Sequence, residues 1–161
     1  MRGGVVPPTL LFAALGLALA FAPRRAWTPG LLALIATLGA FTFLPVPQTW
    51  LEGIFLGCWI SVIATAASVH LVHGLSRCAA LSLSVNTGVW ASAVVSVSGS
   101  RLDLLKALPW VLMFLPAAWV AARHGAIPLK VVSSWIIAIA VLATTLQLLP
   151  VTPGYLPDHM E

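Results

Sequence analysis

The sequence predicts an all-α polytopic membrane protein of about six transmembrane helices joined by short loops. Three observations carry that reading. Six long runs hold no formally charged residue: Gly3–Pro23, Ala26–Leu51, Gly53–Ser76, Cys78–Ser100, Ala107–Ala122 and Val131–Pro157. Only 7% of the 161 residues are charged, 60% are hydrophobic, and the mean hydropathy is +1.04. So few ionic groups cannot cover a water-soluble surface of this size, whereas a helix crosses the hydrocarbon core with about 20 apolar residues. The runs are also continuous in Leu, Ala and Val, not alternating over segments of about 10 residues, which excludes a β-barrel. The spans consume nearly the whole chain, so residues 1–161 are read as a single transmembrane domain.

The first helix is placed at 6–22, opened by Pro7-Pro8 and closed by Pro23. Arg2, the apolar core and Ala20-Phe21-Ala22 imitate a signal peptide. Pro23 directly after the small-x-small end, and a run long enough to span, favour a retained first helix. The second is placed at 29–46, with Thr28 as N-cap and Pro29 in the first helical position. It ends in Leu44-Pro45-Val46-Pro47.

The third helix, at 50–73, carries Gly53, Gly57, Ser61 and Thr65 at four-residue intervals. The fourth, at 78–98, carries Ser84, Gly88, Ser92, Ser96 and Ser100 at the same spacing. The Gly74–Arg77 turn joining them is short, so the two are expected as antiparallel neighbours. Small residues let membrane helices approach closely, so Gly53, Gly57, Ser84 and Gly88 are expected as packing positions at the centre of the bundle.

The fifth helix, at 105–122, is the shortest. Its 16 uncharged residues fall slightly short of a crossing, and Lys106 and Arg123 extend it by running their stems along the ends. Five helices with this segment re-entrant is the structural alternative. Pro116, near its middle, predicts a kink. The sixth helix, at 130–149, ends in Leu149-Pro150-Val151.

The shared Leu-Pro-Val endings, with Arg24 matching Arg123 and Pro29 matching Pro128, suggest an internal repeat. Hairpins 6–46 and 105–151 would then flank the central helices 50–98, as internal duplications do in many transporters. Chance likeness between proline-capped apolar hairpins is the competing explanation.

Six spans put Arg24, Arg25, Arg77, Arg123 and Lys130 on one side. Arg2, Arg101 and Lys106 fall on the other, with Glu52, Asp103, Asp158 and Glu161. Counting Lys and Arg makes the first side cytoplasmic and sends both termini outward, in a bacterial-type inner membrane. The net charge of +4 and pI near 9.8 come from basic anchors spread over several loops. These suit anionic lipid headgroups and exclude a nucleic-acid track. Cys58 and Cys78 differ in expected depth by about 20 Å, too far for a disulfide.

Several polar groups fall inside the spans. Asn86 and Thr87 stand in the fourth helix, where an unsatisfied amide is costly. With Ser61, Thr65 and Ser92, and with Glu52 at the outer mouth, they form a candidate polar path; Ser82 and Ser133 extend it. Each has a plainer role as well. Asn86 can bond a neighbouring helix, the hydroxyls can bond their own preceding turn, and Glu52 complements a helix N-terminus. His70, His73, Cys78 and His124 share one side and could supply soft metal ligands, a weak signal because His also suits a helix C-terminus. His159 in the tail adds nothing specific. Of the tryptophans, Trp27, Trp50 and Trp110 read as interface anchors; Trp59, Trp90, Trp119 and Trp135 read as packing groups.

No nucleotide-binding, zinc-protease or nucleophile-elbow motif occurs, so neither a cofactor nor a catalytic residue is assigned. Composition resembles small polytopic bacterial inner-membrane proteins in general. The favoured expectation is a small permease or channel for a neutral or weakly charged solute, homo-oligomeric or joined by membrane partner subunits. The alternative is a non-catalytic membrane subunit or scaffold of a larger complex. A lipid-acting enzyme would have to be built on His70, His73, Cys78 and His124.

Overall fold

The computed structural model describes residues 6–41, 47–71, 74–98 and 101–149. These form helices α1 (Val6–Ala20), α2 (Trp27–Phe41), α3 (Leu51–Ala67), α4 (Arg77–Ser98), α5 (Arg101–Ala107), α6 (Phe114–His124) and α7 (Ile127–Leu148). Short 3-10 turns precede α2 and extend α3 as far as His70, and no strand occurs among the described residues. Four stretches are long and apolar enough to cross a membrane: Leu51–His70, Arg77–Val97, Leu102–His124 and Ile127–Leu148. At 1.5 Å per residue, the 15 residues of α1 reach about 22 Å, against about 30 Å of hydrocarbon.

The predicted fifth helix begins earlier than its proline pattern suggests. It runs from Arg101 to His124 with a 3-10 stretch, Leu108–Met113, in its middle. The expected departure from α geometry therefore lies between Pro109 and Pro116, not at Pro116 itself. Pro116 sits in the first turn of α6, where its missing N–H breaks no intrahelical bond. The second helix likewise starts at Trp27 instead of at a Thr28 cap. A 3-10 turn over Arg24–Ala26 leads into it, and the Trp27 indole N–H donates to the Leu19 carbonyl oxygen at 2.9 Å.

The centre of the bundle is α1, where the residue pattern had placed the third and fourth helices. This helix is apolar on every side, the signature of a helix buried all round. Leu11, Phe12, Leu15, Leu17 and Leu19 are at most 1% exposed. Around it pack α3, α4, α6 and the 3-10 stretch, with α7 touching it more lightly. The closest approach is at Gly16, where a Cβ would stand 2.8 Å from the Val111 carbonyl oxygen. Only a residue without a side chain lets the two backbones meet there.

The second helix does not fold back along α1 but lies along α4. Gly30 faces Ser84 across that seam, and Gly88 faces Thr37. On its other side α4 meets α3, and α3 in turn packs against α7. The hairpins 6–46 and 105–151 thus differ in geometry, since α6 and α7 do pack together. Their Leu-Pro-Val endings fall on residues 44–46 and 149–151, which apart from Leu149 lie outside the described residues.

The turns after α1, α3 and α6 share one end. The Leu75 N–H donates to the Phe21 carbonyl oxygen at 3.2 Å, and Ser134 near the start of α7 lies 3.5 Å from the His70 ring. Arg24, Arg25, Arg77, Arg123 and Lys130 therefore gather at this end, and Glu52, Asp103 and Lys106 at the other. The outer surface is apolar: Ile127 is 75% exposed and Trp135 71%, with Leu32, Leu115, Trp119 and Leu142 also exposed.

Candidate functional site

The polar groups singled out in the sequence fall into three places. Near the middle of their helices, Asn86 of α4 donates through Nδ2 to Ser61 Oγ of α3. Ser61 is buried and Asn86 half-buried, so each satisfies the other where an unpaired group would be costly. One turn further along α4, the Trp90 indole lies over Gly57, where a Cβ would come within 2.1–2.7 Å of three ring atoms. Gly57 and Trp90 thus set the α3–α4 distance at which Asn86 and Ser61 meet.

The second place is the α4 face turned away from this pair. Ser84 donates to the Ala80 carbonyl oxygen at 2.9 Å, and Ser92 to those of Gly88 and Val89 at 2.8 and 2.9 Å. The stripe Ser84, Gly88, Ser92 is buried, its hydroxyls are consumed by their own helix, and Ser84 and Gly88 face α2 instead of α3. Ser100 lies outside the described residues. Thr65 and Thr87 are fully buried, and their Oγ1 atoms have no hydrogen-bond partner, as is also true of Trp59 Nε1.

Glu52 occupies the third place. It is exposed in the first turn of α3, nine residues from Ser61 and so about 14 Å away along the helix axis. There it lines a cleft of about 170 Å³ with Leu51, Gly53, Phe55, Gln147 and Leu148. A Cβ at Gly53 would meet nothing within 4 Å; this glycine opens the cleft instead of closing a helix contact. Of the six path residues, the structure joins Ser61 to Asn86 and sets Ser92 and Glu52 apart from them.

Ser133 of α7 is fully buried and donates to the Ala66 carbonyl oxygen of α3 at 2.6 Å, a further interhelical hydrogen bond. Ser82 is exposed. Gly16, Gly30 and Thr37 were not identified from sequence, although a lone Gly within the apolar first helix calls for a packing reason.

The possible metal ligands are dispersed. His70 and Cys78 are exposed, His124 lies edge-on to Trp119 with centroids 6.4 Å apart, and His73 lies outside the described residues. Among the described residues no three His, Cys, Asp or Glu side chains are grouped to hold a metal ion. Both cysteines are free thiols, Cys58 buried and Cys78 exposed. The Arg123 guanidinium lies 4.7 Å over the Trp119 ring, a cation–π contact at the basic end.

Among the described residues, the fold and site together define an all-helical bundle with four helices able to cross a membrane, held by close glycine contacts and interhelical hydrogen bonds that include Trp27 to Leu19, Asn86 to Ser61 and Ser133 to Ala66. Compared with protein-family models, curated proteins and solved structures, the chain matches none.

Proposed function

We propose that this chain is a six-crossing inner-membrane protein acting as a non-catalytic subunit or scaffold of a larger membrane assembly. The observation that carries the reading is the filled axis of the bundle. Leu11, Phe12, Leu15, Leu17 and Leu19 occupy the position a solute path through one copy would need. The mid-helix polar groups are engaged in holding helices together, Asn86 to Ser61 and Ser133 to Ala66. Such bonds act as glue in a bilayer, where apolar burial gives helices no drive to associate.

Six crossings agree with the up-and-down order of the helices, and the exposed apolar belt suits lipid. Enclosure by its neighbours supports a first helix shorter than the hydrocarbon core. The end with five basic residues is assigned to the cytoplasm, leaving both termini outside.

The test is solute flux. Protein purified alone and reconstituted in liposomes is expected to pass no small neutral solute faster than empty liposomes in a light-scattering swelling assay. Flux that saturates and is lost in Asn86→Leu would overturn the subunit reading. It would establish the second one, a small permease for neutral or weakly charged solutes, which the cleft at Glu52 and Gln147 favours as a point of access.

A further inference from the structure

We propose that Arg24, Arg25 and Arg77 form a headgroup site for a net-anionic phospholipid whose acyl chains run along α2 and α4. Two turns distant in sequence are joined there. The Leu75 N–H donates to the Phe21 carbonyl oxygen at 3.2 Å. Gly74, with a φ of 71° that favours glycine, comes so near that a Cβ would stand 3.3 Å from the same oxygen. The 3-10 turn holding Arg24 and Arg25 packs on α4, whose first residue is Arg77. The backbone therefore gathers three arginines into one patch, and all three are exposed.

None of the three guanidinium groups has an ion-pair partner among the described residues. The chain has four acids. Glu52 and Asp103 stand at the other end of the bundle, and Asp158 and Glu161 belong to the segment that follows α7, which ends beside Glu52. Helices α2 and α4 both begin at the arginine patch, and their N-termini add partial positive charge. Guanidinium groups hold phosphate oxygens through paired, charge-assisted hydrogen bonds. A net-anionic lipid is favoured over phosphatidylcholine because no ammonium of its own offsets the phosphate. Basic residues at a cytoplasmic helix end draw such headgroups. A lipid is favoured over an acidic protein by what lies beside the arginines: toward the middle of the bundle the same two helices expose Leu32, Ile35 and Val85. The site presupposes the membrane placement proposed above and is independent of the subunit reading.

The test is lipid retention by the full-length protein in phosphatidylcholine nanodiscs containing a minor share of phosphatidylglycerol, read by native mass spectrometry. Phosphatidylglycerol is expected to stay on the chain in preference to the majority lipid. Arg24→Gln and Arg77→Gln should each weaken its retention about fivefold, and the double substitution about 25-fold. Arg123→Gln removes the same charge from the same end, but its guanidinium lies over Trp119 on α6, so retention should stay nearly unchanged. An equal loss in Arg123→Gln would mean a diffuse field and overturn the site. Glycerol phosphate in solution, at the same molar excess as the lipid, should not displace it; displacement would overturn the assignment to a lipid in favour of free phosphate. A chain that enters the nanodiscs without preferring phosphatidylglycerol overturns the site alone and leaves the arginines to an acidic protein. A chain that stays soluble and does not enter them overturns the membrane placement as well.

Discussion

Replacing Gly16 by Ala tests the packing at the centre of the bundle. The added Cβ would lie 2.8 Å from the Val111 carbonyl oxygen and 3.3 Å from both Phe114 N and the Trp110 carbonyl oxygen, where ordinary contact begins at 3.4 Å. The deficit at Val111 is 3.4 − 2.8 = 0.6 Å. All three neighbours are backbone atoms and cannot rotate aside, so α1 and the 3-10 stretch must separate. Overpacking of this kind costs about 1–3 kcal/mol, and the better helix propensity of Ala returns about 1 kcal/mol. The expected net loss is about 0–2 kcal/mol, and about 1–3 kcal/mol relative to a Gly→Ala change that meets no neighbour.

Gly39→Ala is the matched control, because a Cβ there meets nothing within 4 Å. It should be neutral or stabilising by up to about 1 kcal/mol. Reversible denaturant unfolding in micelles, followed by tryptophan fluorescence, reads both midpoints. If Gly16→Ala unfolds at or beyond the midpoint of Gly39→Ala, the central placement of α1 is wrong.

Four further outcomes are expected. A double-mutant cycle of Asn86→Leu and Ser61→Ala should give a coupling of about 0.6–1.7 kcal/mol; strictly additive losses would mean the bond is not made. Gly57→Ala should destabilise the α3–α4 seam, and Trp90→Leu should relieve that loss by removing the indole the new Cβ strikes; no relief would refute the slot. Maleimide should label native Cys78 quickly and Cys58 only after unfolding. With Cys78 replaced by Ser, Arg24→Cys, Arg77→Cys and Ala126→Cys should label from one face of the membrane and Glu52→Cys from the other. Arg24 and Arg77 labelling from opposite faces would dismantle the six-crossing arrangement.

The candidate site was legible only in part. Asn86 stood out because an amide deep in an apolar run needs a partner, and Ser61 was within the set named for it. Which of five hydroxyl or carboxylate groups would meet Asn86 was not legible, because the sequence leaves each helix free to rotate about its axis. Gly53 and Gly57 show the same limit. They fall on one stripe, yet one opens a cleft and the other receives an indole, according to what lies opposite. Ser84 and Gly88 could have served α2 or α3 equally well by spacing.

What the sequence by itself determined is that the chain is all-helical, which stretches are apolar enough to cross a membrane, and which turns carry the basic residues. Apolar transfer and charge desolvation add up residue by residue along a segment, so the uncharged runs and their Pro and Gly ends mark helices without any knowledge of neighbours. Only the tertiary structure decided that the first helix is the axis, that α2 lies on α4, and that the prolines of the fifth span produce a 3-10 stretch against Gly16. Those outcomes depend on close packing between surfaces distant in sequence, where a gap or overlap of half an ångström changes which helices can touch.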